Sequence, residues 1–365
     1  MSTTSTASGA APQNTGTASG AAHRSTGTAY RAFTVTGRQQ FALVERERRE
    51  PSPGEVRIRV EACGICHTDV LAVEGMRADP ETPIVPGHEI VGVIEAVGDG
   101  VAPAWQPGER VGVGFLGGQD HSCEACRRGD FVNCTGQPRT GTDVDGGYAE
   151  VAYARATGLV RIPSGLDPMA AAPLLCAGLT VYNALVSASV PPGALVAVQG
   201  LGGLGHLGVQ YARALGHRVA VVARGSAKAG LAAELGAHHY IDSTGTDPGA
   251  ALRELGGAAV IVATAASGAS MSPLVPGLGR RGELVVVGAA PDPIQVNTAD
   301  LIFGGHAVRG SLTGTAVENE DNLRFALGHG IRSRNEVFPL SEAPRAYRHM
   351  LSGDARFRVV LDQRG

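Results

Sequence analysis

Aromatic side chains make up only 4% of the 365 residues, and charge is nearly balanced, with a formal net of −3. That balance, with no Lys/Arg run long enough to track phosphates, gives no electrostatic case for nucleic acid and leaves a small molecule as the expected partner. Long apolar runs are also missing. The longer ones, residues 194–198 and 258–263, fall far short of the roughly 20 residues of a membrane span, so no membrane is expected and the chain reads as soluble and cytoplasmic. There is no apolar signal region, so the six cysteines are better read as metal ligands than as three disulfides of a secreted protein. Residues 1–29 lack any acidic side chain and consist almost entirely of Ser, Thr, Ala and Gly, too little apolar surface to offset the entropy of ordering, so they read as a disordered tail. Arg24 is the only basic residue there apart from His23, so the Arg-rich character of an organellar transit peptide is lacking.

The chain does have a hydrophobic fraction of 43% and 52 glycines without a G-x-y period. That excludes collagen and suits a β-rich fold with tight turns and one nucleotide-binding loop. The length allows two domains. From Tyr30 to about Ala156, short strands alternate with Gly/Pro turns ("AFTV", "FALVE", "EVRIRVEAC", "EIVGVIEAVG", "RVGVGF", "YAEVAYA"), which predicts a small β-barrel. Val56, Ile58 and Val60 alternate with Arg57, Arg59 and Glu61, predicting one buried and one solvated face. From about Gly178, apolar strand, glycine turn and helix repeat: "ALVAVQG" into "GLGHLGVQYARALG", then "RVAVVA", "AAVIVATA" and "GELVVVGAA". That predicts a parallel sheet covered by helices on both faces.

Cys66, His88 and Cys176 offer two thiolates and an imidazole, three ligands that leave zinc one open position, the arrangement of a catalytic site. Gly87-His88-Glu89, with Gly92, Gly98 and Val101, spells G-H-E-x2-G-x5-G-x2-V. This spacing, "CGICHTD" and "APLLCAGLTVYNAL" resemble zinc-dependent medium-chain alcohol dehydrogenases over about residues 30–365. The resemblance implies an α/β chain: a GroES-like β-barrel catalytic domain at 30–177, completed by 315–365, plus a Rossmann-type doubly wound parallel-sheet cofactor domain at 178–314. "ARFRVVLD" is then a strand returning to the first domain. It also implies hydride transfer between an alcohol or aldehyde and a nicotinamide, with zinc stabilising the alkoxide. Thr68 resembles the hydroxyl that takes the substrate proton, Asp69 the carboxylate that orients His88, and Glu89 the acid that transiently enters zinc's open position. Many relatives end the proton relay at a histidine five residues past the first zinc cysteine; here that position is Leu71.

A competing arrangement joins Cys63-x2-Cys66 to Cys123-x2-Cys126 in one four-cysteine site, but 56 residues separate the pairs where such ribbons have about 15 to 20. Cys63 reads as a wall residue able to form a disulfide with Cys66 if zinc is lost. Cys123, Cys126 and Cys134 resemble three ligands of the family's structural zinc lobe, whose first ligand would be Asp120 here. A carboxylate keeps the charge and binds zinc at a similar distance; His121 and a metal-free loop are the alternatives.

Gly200-Leu201-Gly202-Gly203-Leu204-Gly205 follows one apolar strand and opens a helix, so it is expected to seat a pyrophosphate on the helix's positive end. At the end of the next strand, Arg224, Ser226 and Lys228 stand where an NAD enzyme presents a carboxylate, which favours NADP, with NAD as the alternative. By resemblance, His67 and Arg358 contact the pyrophosphate. Val73, Met76, Phe115 and Leu179 would line an apolar pocket for an aliphatic or aromatic primary alcohol. The 41 residues between Cys134 and Cys176 resemble the shorter spacing of microbial tetrameric members, so a homotetramer is expected, with a dimer as the alternative. The competing functions are a non-catalytic zinc- and nucleotide-binding protein, an aldehyde/cinnamyl-type reductase of the same family, and a metal-free reductase of the superfamily.

Overall fold

The computed structural model describes residues 29–364. The tail expected at 1–29 therefore lies outside the described residues, except Ala29, which opens a strand. That strand, β1 (Ala29–Gly37), forms an antiparallel hairpin with β2 (Gln40–Glu47). β3 (Glu55–Ile65), β4 (Glu89–Val97) and β5 (Arg110–Val113) pair antiparallel in sequence; β6 (Val151–Arg155) pairs with β3, and β7 (Leu159–Arg161) with β5. Val56, Ile58 and Val60 are at most 1% exposed, as their alternation predicts. The pattern breaks at Glu61, expected on the solvent face: it is 6% exposed and accepts a hydrogen bond from Arg110 Nε at 2.8 Å. An irregularity in the β3–β4 register between Val60 and Ala62 accounts for the change, because an extra residue swaps the faces beyond it.

β8 (Leu195–Gln199), β9 (Arg218–Ala223), β10 (His239–Asp242), β11 (Ala258–Ala263), β12 (Leu278–Val286) and β13 (Ala307–Gly310) form a wholly parallel sheet in the order β10-β9-β8-β11-β12-β13. Alternate residues feed two cores. Val196, Val198, Val219 and Val221 pack with Leu207 and Tyr211 on one face, while Ala197, Ala220 and Ile261 pack with Leu252 and Leu274 on the other. Burial on both faces explains the unbroken apolar strands. The strand order reverses between β8 and β11, and a crevice at such a switch point is where doubly wound sheets bind nucleotides.

β14 (Asn335–Pro339) and β15 (Arg358–Asp362) lie in the barrel sheet, with Val359 opposite Ile65 and Leu361 opposite Cys63. The return of β15 sets Arg358 beside the carboxyl end of β3. No single helix among the described residues is long and apolar enough to cross a membrane.

Candidate active site

Three chain reversals meet where β3 ends. Cys66 precedes the 3-10 turn His67–Asp69, His88 immediately precedes β4, and Cys176 precedes the helix Ala177–Val186. One ligand atom each from Cys66, His88, Glu89 and Cys176 lies within 4.8 Å of the others, and all four residues are buried. The two sulfurs are 4.0 Å apart. His88 Nδ1 faces Asp69 Oδ1 at 3.0 Å, whereas its Nε2 is buried without a partner. An orphaned buried nitrogen is costly unless something else accepts its lone pair. With two thiols beside it, the donor set fits zinc and leaves room for another ligand.

The electrostatics favour one thiolate, at Cys66, while the hydrogen bond to Cys66 and burial push the Cys176 thiol well up. The hydrogen bond with the Cys176 thiol holds the Cys66 thiol well below its ordinary range against the cost of burial, and His88 adds to the effect. Glu89 Oε1 pairs with the Arg358 guanidinium while Oε2 has no partner; burial, only partly offset by Arg358, pushes the carboxyl up to about 8. Asp69 accepts from Cys66 N at 3.0 Å and from the Tyr148 hydroxyl at 2.8 Å, so three partners fix the carboxylate that faces His88. Sequence reasoning missed Tyr148. Its one trace is Gly87, the residue before His88, where a Cβ would lie 2.5 Å from the Tyr148 ring.

Thr68 is half-buried, with Oγ1 3.6 Å from Cys66 Sγ, and His67 is exposed on the same turn. Cys63 backs the site as a structural residue, its thiol pushed up by burial and by the nearby Asp69 and Glu89. It is 0% exposed in the barrel core, because it lies within β3 while Cys66 lies beyond its end, so Cys176 supplies the sulfur next to Cys66. The expected pocket also needs correction. Val73 is 0% exposed in the same core, out of reach of a ligand, and Met76 is 66% exposed after the turn at Gly75. Phe115, edge-on to His88 at 5.3 Å between ring centroids, and Leu179 line a cavity of about 10 Å³ with Leu175 and Thr313.

Asp120, Cys123, Cys126 and Cys134 form a second cluster, again with ligand atoms within 4.8 Å. Asp120 Oδ1 accepts from Cys123 N at 3.0 Å and Ser122 N at 2.7 Å, and these bonds hold its carboxyl well below the usual range. His121 is outside the cluster: its φ of 58° sets its ring against Phe131.

The glycine loop runs from β8 into the helix Gly205–Ala214 at the sheet's switch point. Gly200 has φ +85, and a Cβ on Gly205 would lie 1.9 Å from the Gly200 carbonyl, so larger residues at either position are excluded. Around the loop, Gly202 opens onto free space, Gly203 lies beside Arg358, and Leu204 precedes the helix. Arg358 is thus shared between the loop and Glu89. Lys228 Nζ donates to the Leu201 carbonyl at 3.0 Å, while Arg224 and Ser226 are exposed.

Comparison with known proteins decides the family. Residues 52–164 match the alcohol dehydrogenase GroES-like domain and residues 203–327 the zinc-binding dehydrogenase domain. Alcohol dehydrogenase notN from Aspergillus sp. (strain MF297-2) is 44% identical over 312 residues, 85% of this chain and 91% of that protein. The chain belongs to the zinc-type medium-chain dehydrogenase/reductase family. Among solved members it is similar to the cinnamyl alcohol dehydrogenase SbCAD4 from Sorghum bicolor, with a TM-score of 0.82, 31% identity, and 92% of this chain and 98% of that one covered. It is also similar to CAD from Helicobacter pylori, solved with NADP(H), with a TM-score of 0.79, 28% identity, and 92% and 98% covered. This family member is an oxidoreductase of the alcohol dehydrogenase type, dependent on zinc and a nicotinamide.

Proposed function

We propose that Cys66, His88 and Cys176 hold a catalytic zinc at which a small apolar alcohol or its aldehyde exchanges hydride with NADP(H). The observation that carries this reading is the buried, unpartnered Nε2 of His88 beside two thiols. Zinc there supplies Lewis acidity toward the alcohol oxygen, and the nicotinamide supplies the hydride acceptor. The chain's own residues do the rest. Asp69 accepts a hydrogen bond from His88 Nδ1–H and so turns the Nε2 lone pair toward the metal position. The Thr68 hydroxyl takes the substrate proton beside Cys66, and Leu71 offers no further relay. Glu89, held by Arg358, is the nearby acid for ligand exchange, and Phe115 and Leu179 supply apolar wall.

For the cofactor, we assign the pyrophosphate to Gly200, Gly202, Gly203, Leu204 and Gly205, with His67 and Arg358 beside it. Arg224 is the exposed cation for a 2′-phosphate, and Lys228 braces the loop through Leu201. Asp242, a carboxylate at the end of the neighbouring strand, has its Oδ1 engaged by Gly225 N at 2.8 Å and Thr244 N at 2.9 Å. Asp120, Cys123, Cys126 and Cys134 hold a structural zinc. The catalytic domain is 30–177 with 315–365, the nucleotide domain 178–314, and the enzyme is cytoplasmic. A non-catalytic binding protein would have no need of the complete ligand set; a cinnamyl-type reductase shares it and differs in substrate.

A screen of alcohols and aldehydes with both cofactors, with metal analysis, tests the proposal. Faster initial rates with NADP, a preference weakened in Arg224→Ala, and two zinc per chain, falling to one in Asp120→Ala, are expected. A clear NAD preference refutes the cofactor assignment, and a single zinc in the parent chain refutes the second site. Self-association is also expected, in a tetramer or a dimer, because β13 ends the sheet and Ile302 and Phe303, on the helix Thr298–Gly304, are 73% and 85% exposed. Analytical ultracentrifugation checks this, a monomer counting against it.

A further inference from the structure

Two asparagines on the helix Ala316–His329 are almost wholly buried, Asn319 at 2% and Asn322 at 0% exposure. Buried amides persist where their polar atoms are satisfied, and these spend theirs on the backbone just before Cys176. Asn319 Nδ2 donates to the Leu175 carbonyl at 2.8 Å, the carbonyl of the peptide bond whose nitrogen belongs to Cys176. Asn322 Nδ2 donates to the Leu174 carbonyl at 3.0 Å and to Asn319 Oδ1 at 3.1 Å. Its Oδ1 accepts from the Tyr211 hydroxyl on the helix Gly205–Ala214, which the glycine loop opens. The local contact at this point is the Thr180 N–H donating to the Cys176 carbonyl at 2.9 Å, which leaves the carbonyls of Leu174 and Leu175 to the asparagines. The helix Ala177–Val186 begins at Cys176 without a side-chain cap, and Cys176, at φ −124 and ψ −68, conforms to neither the 3-10 turn Ala172–Leu175 before it nor the helix after it.

We propose that Asn319 and Asn322 are positioning residues for the metal. By clamping the carbonyls of Leu174 and Leu175 they hold the Cys176 sulfur against Cys66 and His88, and through Tyr211 they tie that ligand to the nucleotide-binding helix. This inference rests on the assignment of zinc to Cys66, His88 and Cys176. Partners that orient metal ligands govern affinity by roughly 10–100-fold, and these act one bond further out, through the backbone.

The test is zinc release from the holoenzyme to a chromogenic chelator, well below the unfolding temperature. The release phase missing from Cys176→Ala identifies the site, and if no phase is missing there, the zinc assignment itself fails. In Asn319→Leu and Asn322→Leu that phase is expected to run about tenfold faster, and the thiolate-to-metal band of the cobalt-substituted protein to shift. Asn183→Leu is the control, because Asn183 Nδ2 bonds the Thr313 carbonyl at 3.1 Å rather than the carbonyls of residues 174–176. It should lower the melting temperature while releasing zinc at the parent rate. Tyr211→Phe, which removes a single hydroxyl and keeps the ring packed, covers the case in which the asparagine variants do not fold; release about threefold faster is expected. Parent-rate release in every folded variant, or equal acceleration by Asn183→Leu, overturns the proposal.

Discussion

Thr68→Val is expected to lower kcat by about 10²–10⁴-fold, the range that a positioned proton-transfer group contributes, equivalent to about 3–5 kcal/mol of barrier. Valine has nearly the volume of threonine and Thr68 is only half-buried, with its hydroxyl making no bond closer than the 3.6 Å contact to Cys66 Sγ. Folding and zinc content should therefore survive, and the loss should fall on the chemical step. The effect should be large because no second side chain stands in line. Leu71 occupies the position where many relatives carry a histidine and can carry no proton, so on the proposed reading Thr68 is the one side chain of the relay. Leu71→Ala should change kcat only slightly, and Thr68→Ser, which keeps the hydroxyl, should recover most of the activity. Steady-state rates across pH at matched zinc occupancy decide it: equal rates for Thr68→Val and the parent enzyme would remove Thr68 from the mechanism.

Features with a local signature were legible in the sequence. The apolar strand, glycine turn and helix from Leu195 to Ala214 follow from periodicity and glycine sterics, and the resemblance to the family's structural lobe points to Asp120 beside Cys123, Cys126 and Cys134, where a carboxylate keeps the charge and reach of a thiolate. Partners set by long-range return of the chain were not legible. Tyr148 meets Asp69 across 79 positions, and β15 carries Arg358 to Glu89 across 269; no period or spacing records such a meeting. Register was equally hidden. Cys63 and Cys66 differ by three positions, yet one falls inside β3, facing the barrel core, and the other beyond its end. Glu61 was misplaced for the same reason, since a strand irregularity exchanges faces without changing the sequence alternation. The Val73 pocket assignment failed because the short helix Val70–Val73 turns that side chain into the core.

Asp69→Asn is expected to weaken zinc binding by about 10–100-fold and to move its pH dependence. The carboxylate serves three donors at once: the Cys66 amide, the Tyr148 hydroxyl and His88 Nδ1. An asparagine has one oxygen for them and turns its amino group toward the others, so at least one buried group loses its acceptor, at about 1–3 kcal/mol. The charge matters separately. Burial disfavours the imidazolium of His88, but Asp69 and the Cys66 thiolate outweigh it and hold the metal-free His88 protonated well above its ordinary range. Zinc needs the neutral imidazole, so it must displace that proton. In the parent enzyme, affinity is therefore lost as pH falls through the raised pKa of His88, on top of the proton that zinc must also displace from the Cys176 thiol, which its bond to Cys66 and burial push up. Without the Asp69 charge, the His88 pKa drops and the loss begins at lower pH, while the alkaline plateau is weaker because Nε2 is less basic and less firmly aimed. Competitive zinc titrations with a chelator, run from acidic to alkaline pH, separate the two effects. An unchanged plateau together with an unchanged midpoint would show that Asp69 neither orients nor charges His88.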